Sequence, residues 1–129
     1  MIAIDTNILV RYLVQNDDTQ AKQARKFIEK DCDQDNPGLI TVTAFIETYW
    51  VLTKVYGFEE AFVREGLGKL LNAKQLGVEN ADAVGAALLG SHADLADLMI
   101  LETGRSSGAS TTFTFDKKFA RLPGVELLK

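Results

Sequence analysis

The sequence predicts an α/β protein with a mainly parallel sheet, and two observations carry this prediction. Short apolar runs alternate along the chain with segments of helical periodicity, which is typical of parallel strands connected by helices. The first run ends abruptly at Asp5, and the run from residue 110 to 115 ends in the same way at Asp116. A buried strand that stops at a polar residue delivers it to the carboxyl edge of the sheet, where ligands and catalytic groups of open α/β folds collect.

The first half of the chain alternates between strands and helices in this way. After the first strand, Thr6 is predicted to cap a helix, and a second helix is expected from about residue 19 to 31. A loop rich in turn residues then leads into a second strand, Leu39–Val42. The segment from 43 to 56 is apolar around almost its whole circumference, which predicts a buried helix that ends at Gly57.

The second half continues the pattern with shorter elements. Helices are expected from about 59 to 73, from residue 80 or 81 onward and from about 94, with a short one over 117–122. The segment 76–78 is either a brief strand or a loop, 110–115 alternates like a strand, and 125–127 is predicted as a last edge strand.

Length and composition indicate a single domain, residues 1–129, with 47% apolar and 25% charged residues. The one cysteine, Cys32, excludes an internal disulfide framework and fits a reducing cytosol, so we expect a cytoplasmic protein. The longest apolar stretches are far shorter than the roughly 20 residues that a membrane span needs, and the features of a signal peptide are missing. We therefore expect no membrane association.

The net charge is −4 and the pI about 4.9, which argues against non-specific binding of nucleic acid through a basic surface. However, four or five carboxylates in one metal site would supply most of this excess, and bound divalent cations would reverse the local sign. The composition therefore weakens the case for a nuclease without excluding one.

Five carboxylates stand out by their positions in the predicted elements, and four of them have a structural alternative. Asp5 suits a helix N-terminus because of the helix dipole, Asp94 suits an N-cap, and Asp116 suits the cap of the short last helix. Asp97 lies three residues after Asp94, so the two share a helix face.

Glu47 is the fifth carboxylate and lies inside the apolar helix, where an ionised side chain is costly unless it is paired. The alternatives to a metal ligand are a buried pair with Lys or Arg, or a thin exposed stripe with Thr43 and Lys54. Taken together, the five acids are expected to converge on a divalent metal, because gathered carboxylates repel unless a cation or protons intervene.

The ligand types favour Mg²⁺ or Mn²⁺, because all the candidate donors are carboxylate oxygens. The lone His92 and Cys32 offer no zinc set, and we expect a surface or loop histidine and a small buried thiol. The chain also lacks the glycine-rich phosphate loop and the dinucleotide-binding fingerprint.

Four segments carry a resemblance to one family. Ile2–Asn7 is similar to an opening strand with an Asp-Thr-Asn signature, and Glu47 follows on the helix after the second strand. Ala93–Ile100 is similar to an Asp-Phe-Ala-Asp-x-x-Ile segment with Leu95 for Phe, and Thr112–Phe119 is similar to a Thr-Phe-Asp-Lys-x-Phe segment. In this order and spacing the segments resemble the PIN domain, and within it the VapC-type ribonuclease toxins of toxin–antitoxin pairs.

The resemblance implies a three-layer α/β/α sandwich around a mainly parallel central sheet, Mg²⁺- or Mn²⁺-dependent cleavage of RNA, and a homodimer. It makes the catalytic, metal-binding set Asp5, Glu47, Asp97 and Asp116, with Asp94 as an additional ligand. The residues expected to orient carboxylates or metal-bound water are Thr6, Asn7 and Thr114.

Basic residues near this site are expected to contact RNA, above all Arg11 and Lys117, and Tyr12, Tyr49 and Trp50 are candidates for stacking on bases. The resemblance also implies a cognate antitoxin or dimer contact on the apolar surface of the first helices. That surface comprises Ile8, Leu9, Tyr12, Leu13 and Phe27.

Two other functional classes compete with the ribonuclease. A carboxylate-site phosphatase or phosphotransferase also places Asp at the end of the first strand, but the haloacid-dehalogenase type wants a second Asp where this chain has Asn7. A catalytically silent PIN-like binding scaffold is the other alternative, although it would have no need for the full set of acids.

Overall fold

The computed structural model describes residues 1–90 and 93–129, so the expectation for His92 falls outside the described residues. The chain forms two compact units, Met1–Ala81 and Asp82–Lys129. The single domain expected from the length stays a prediction.

The first unit consists of three strands with helices between them. In chain order its elements are β1 (Ile2–Ala3), α1 (Thr6–Val14), α2 (Thr19–Lys26), β2 (Gly38–Ile40), α3 (Val42–Trp50), α4 (Glu60–Asn72) and β3 (Leu76–Val78). α2 and α3 each continue into one stretch of π-helix, Phe27–Asp31 and Val51–Val55.

β2 is the central strand of this sheet and pairs in parallel with β1 on one side and β3 on the other. Gly38 lies in register with both Ile2 and Leu76. A Cβ at Gly38 would lie 2.5 Å from Cδ1 of Ile4 and 3.1 Å from Sγ of Cys32, so a side chain at this position would overpack the core. The absence of a side chain at Gly38 therefore leaves room for the Ile4 and Cys32 side chains beside β2.

The second unit is smaller and contains a two-stranded parallel sheet. Its elements are α5 (Ala81–Leu89), α6 (Leu95–Ser106), β4 (Thr112–Thr114), a 3₁₀ turn (Phe119–Arg121) and β5 (Val125–Leu127). β4 pairs with β5, with Phe113 opposite Glu126. A small core of Leu101, Phe119 and Val125 lies under this sheet.

The predicted α/β class and the parallel strand pairing are confirmed, and 76–78 is a strand. Three local predictions are wrong. The second strand ends at Ile40, because Thr41 caps α3 by accepting a hydrogen bond from the amide of Ala44 at 3.1 Å. Thr6 is the first residue of α1 and not its cap, a position taken by Asp5. The expected helix over 117–122 shrinks to the 3₁₀ turn.

The helix predicted to be buried all round, α3 with its π-helical extension, is also corrected by the structure. Thr43, Glu47, Trp50 and Lys54 are exposed along one line of it, which is the exposed stripe left open as an alternative. Phe45 and Tyr49 on the other side are buried.

No helix within 1–90 or 93–129 is long and apolar enough to cross a membrane.

Candidate active site

The carboxyl ends of the three strands in the first unit meet at one edge of the sheet, because all three run in parallel. Asp5 follows β1, Thr41 follows β2, and Glu79 follows β3. The helices α1 and α3 begin at this edge, so their N-termini also face it. Polar groups thus gather there through topology alone.

Asp5 occupies the N-cap position of α1, but its carboxylate makes no capping hydrogen bond. The structural alternative for Asp5, a residue favoured at a helix N-terminus, therefore agrees with its position, although without a capping bond. The carboxylate is exposed near the positive end of the α1 helix dipole and is accessible to a cation.

Glu47 lies one turn into α3 and accepts a short hydrogen bond from the hydroxyl of Thr6. This bond joins α3 to α1 and holds the Glu47 carboxylate beside the residue that follows Asp5. The expectation that Glu47 is buried is wrong, since the side chain lies on the exposed stripe of α3. Because the carboxylate is in contact with solvent, its charge does not require a buried ion-pair partner. The side chain is also accessible to a metal ion.

Glu79 has a role that the sequence analysis missed. Its Oε1 accepts a hydrogen bond from the backbone amide of Val42 at 2.8 Å, which satisfies a free N–H in the first turn of α3. Together with the Thr41 cap it fixes the start of the helix that carries Glu47. Glu79 directly follows β3, and its position at a strand end is the signal that was available in the sequence.

Asp94 begins the acidic group of the second unit. Its carboxylate caps α6 by accepting a hydrogen bond from the amide of Ala96 at 2.7 Å. The capping alternative is therefore correct for one of its oxygens, Oδ1. Its role as an additional metal ligand stays a prediction.

Asp97 lies in the first turn of α6 and is half-buried. Burial raises the pKa of its carboxyl group above the ordinary value of 3.8, and the negative charges of Asp94 and Asp116 raise it further. Asp97 is therefore close enough to Asp94 and to Asp116 to be repelled by each of them within this unit.

Asp116 follows β4 and is held in a tight turn. Its Oδ1 accepts hydrogen bonds from the amides of Lys118 at 2.8 Å and Phe119 at 3.2 Å, and its own amide donates to the hydroxyl of Thr114 at 3.0 Å. The predicted contribution of Thr114 thus acts on the backbone of Asp116. The capping alternative for Asp116 holds for Oδ1 in the approach to the 3₁₀ turn.

The remaining predicted residues have mixed placements. Asn7 and Lys117 are exposed, whereas Arg11 is half-buried and forms an ion pair with Asp18 at 2.6 Å. Among the aromatic candidates for stacking, Tyr49 is buried and cannot take part, while Trp50 is 54% exposed.

Tyr12 is half-buried, and its pKa is raised by burial and by the Glu29 carboxylate, with which it shares a hydrogen bond. On the surface predicted for a partner, Leu9 is fully buried and Ile8, Leu13 and Phe27 are half-buried. Leu9 therefore belongs to the core, and that surface is less exposed than expected.

The donor chemistry of these acids fits a hard divalent cation such as Mg²⁺, because every candidate atom is an oxygen. The charge repulsion around Asp97 is the kind that a bound cation relieves. Among the described residues, no three Asp, Glu, His or Cys side chains form a ready-made metal site, so ion binding would require side-chain rearrangement.

The fold and these acids define an α/β protein of the metal-dependent nuclease type. The family model of the PIN domain matches residues 2–125, so the chain belongs to the PIN domain family. PIN domains are generally nucleases that act on RNA or DNA and use divalent ions such as Mg²⁺. No curated protein matches the chain.

Replacement of Thr6 by valine should lower the free energy of unfolding by about 1–2 kcal/mol, because it removes the hydrogen bond to the Glu47 carboxylate at nearly constant shape. Urea unfolding measures this change. Thr43→Val, on the exposed face of α3, is the matched control and should change stability by less than about 0.5 kcal/mol. Equal losses in both variants would show that the Thr6 bond contributes nothing specific.

Replacement of Asp97 by asparagine should make the metal-free protein more stable at neutral pH than the matched Asp82→Asn variant, by about 0.5 kcal/mol. The raised pKa means that the folded state binds the proton more tightly than the unfolded state. The stability that the bound proton contributes is fully present below pH 3.8 and is lost as the pH rises through the folded pKa. At pH 7 the charged carboxylate therefore opposes folding.

Asp82 lies in the first turn of α5, so both substitutions lose a similar interaction with a helix dipole. Thermal unfolding in a chelator compares the two variants. A lower stability for Asp97→Asn than for Asp82→Asn would contradict the proposed repulsion.

Proposed function

We propose that the protein is a metal-dependent endoribonuclease and the toxin of a toxin–antitoxin pair. The observation that carries the proposal is that, in a chain of the PIN domain family, Asp97 lies close enough to Asp94 and to Asp116 to be affected by both negative charges, a repulsion that a divalent cation would relieve. A phosphodiester would meet the same cation, and RNA is the substrate that the family resemblance implies.

The proposed ligands of Mg²⁺, or of Mn²⁺ in its place, are Asp5, Glu47, Asp97 and Asp116, with Asp94 as an additional ligand. When bound, the ion lowers the pKa of a water molecule and neutralises charge on the phosphodiester. Asp5 and Glu47 are exposed, and Asp97 is half-buried, so all three are accessible to solvent.

The surrounding residues orient these carboxylates. Thr6 holds one oxygen of Glu47, which leaves the other oxygen for an ion. The backbone amides of Lys118 and Phe119 hold Oδ1 of Asp116 and leave Oδ2 for the same purpose. Asn7, exposed in the first turn of α1, is proposed to hydrogen-bond to metal-bound water.

Phosphate contacts are assigned to Lys117 and Arg11. Lys117 is exposed directly after Asp116, which suits it to the non-bridging oxygens of a phosphodiester. Arg11 is partly neutralised by Asp18, so its contribution to RNA affinity should be the smaller of the two.

The toxin hypothesis also needs a surface for a cognate antitoxin. A groove of about 270 Å³ between α1 and α2 is lined by Ile8 and Phe27 and by the polar side chains Asn7, Gln20 and Gln23. Such a mixed lining suits the apolar face of a partner helix with a few polar contacts. We propose this groove as the antitoxin site and expect the free protein to be a homodimer.

Purified protein should cleave RNA in the presence of Mg²⁺ or Mn²⁺ and lose this activity in a chelator. Asp5→Asn should reduce the rate by more than about a hundredfold because it removes a metal ligand, and Thr6→Val by about tenfold to a hundredfold because Glu47 loses its orienting bond. Gel analysis of a labelled RNA measures the rates.

The control for this assay is Asp17→Asn, a matched change of an exposed acid in the loop after α1, which should leave the rate unchanged. Cleavage that survives in both the chelator and Asp5→Asn would exclude the proposed site. Metal-dependent hydrolysis of a small phosphate monoester with no cleavage of RNA would favour the phosphatase alternative instead.

Expression of the wild-type chain should arrest the growth of a bacterial host, and co-expression of the neighbouring gene's product should restore it. Phe27→Glu should weaken capture of that product by the purified toxin, since it places a charge in the apolar part of the groove.

Light scattering of the free protein should give twice the 14.2 kDa mass of one chain, as expected for a homodimer. Normal growth with wild type and no bound partner would contradict the toxin hypothesis while leaving the nuclease intact.

A further inference from the structure

Two phenylalanines extend into solvent from the strand that leads to Asp116. Phe113 in β4 is 59% exposed and Phe115, in the bend just after β4, is 79% exposed, whereas Thr112 before them and Thr114 between them are half-buried. This alternation in exposure indicates that both aromatic side chains lie on the outer side of β4 and of the bend that follows it. The core beneath is filled by other residues, so neither ring is needed for packing there.

The surroundings of the two rings combine apolar and charged groups. Leu128 is 48% exposed and donates its amide to the carbonyl of Thr114 at 2.7 Å, which extends the β4–β5 pairing beside Phe115. At the other end Glu126 lies opposite Phe113. Asp116, Lys117 and Lys118 follow Phe115 directly and are all exposed.

We propose that Phe113 and Phe115 form a stacking platform for unpaired bases, which leads a single RNA strand to Asp116. The proposal rests on the ribonuclease function and assigns to these two residues the preference for unpaired over paired RNA. Lys117 and Lys118 would bind the phosphates of that strand. None of the residues first considered for base stacking lies on this strand.

The spacing of the two rings suits a stacked nucleic acid. Extended backbone separates side chains two residues apart by about 6.8 Å, which is about twice the 3.4 Å rise between stacked bases. Phe113 lies in β4 and Phe115 one residue past its end, so their separation is of this order. One base can therefore lie between the rings while its neighbours stack outside them. Stacking requires no particular base, so the platform predicts weak sequence preference from these two residues.

The charges around the rings favour one path for the RNA backbone across the platform. Glu126 repels phosphate at the Phe113 end, while the two lysines attract it at the Phe115 end. The backbone should therefore cross the platform toward Asp116. In a duplex the base faces are already covered by their neighbours, so paired RNA cannot use this platform.

The test measures binding without cleavage, in the Asp5→Asn background with Mg²⁺ present. A fluorescein-labelled oligoadenylate is titrated and its anisotropy followed. Phe113→Ala and Phe115→Ala should each raise the Kd by about five- to a hundredfold, because each removes a stacking partner. Phe115→Trp should retain affinity, and a duplex of the same length should bind more weakly than the single strand.

Phe62→Ala is the matched control, since Phe62 is also 59% exposed but lies on α4 in the other unit. Its Kd should equal that of the parent. If the strand variants bind oligoadenylate as the control does, or if the parent does not bind it, the platform is excluded. Loss of self-association or of partner binding in the strand variants, with RNA binding unchanged, would mark the rings as a protein interface and also overturn the proposal.

These outcomes separate the platform from the ribonuclease function. If wild-type protein shows no metal-dependent cleavage but binding still depends on Phe113 and Phe115, the function fails and the platform stands. Cleavage by wild type together with binding that ignores both rings gives the opposite result.

Discussion

The parallel pairing of β2 with β1 and β3 is the constraint on which the first half of the candidate site depends. Parallel strands all end at the same edge of a sheet, so Asp5, Thr41 and Glu79 emerge there together. Two of these residues position the start of α3, because Thr41 caps the helix and Glu79 accepts a bond from its first turn. The Thr6 hydroxyl then ties Glu47 to the start of α1. These three hydrogen bonds can form because the parallel sheet places the starts of α1 and α3 at the same edge.

The second unit faces a different constraint, which is the repulsion among its acids. Burial and two neighbouring carboxylates raise the pKa of Asp97, so its charged form is less favourable than that of an ordinary exposed carboxyl group. One oxygen of Asp94 caps α6, and one oxygen of Asp116 accepts a backbone hydrogen bond in the turn after β4. The remaining charge is available for the metal site that we propose, because these structural contacts do not use it. In the proposed function, a cation that binds there would also stabilise the folded protein.

Glu47 shows that a residue can be proposed for a site on an incorrect structural premise. The many apolar residues of its helix indicated a buried position, in which only a strong partner would make a carboxylate acceptable. In the structure, four residues spaced along one line of that helix are exposed, and Trp50 is one of them. The functional assignment now depends on the bond from Thr6 and on the position of the residue beside Asp5.

The sequence by itself determined the α/β class, the order of the elements and the strand-end or helix-start positions of four of the five acids, because periodicity and chain punctuation are local properties. Only the tertiary structure decided which faces of those elements meet solvent. The exposure of Glu47, Phe113 and Phe115, the burial of Leu9 and the partner of Thr6 all depend on residues distant in the chain. Local periodicity carries no information about those residues, since the packing partner of a helix or strand face is chosen by the fold as a whole.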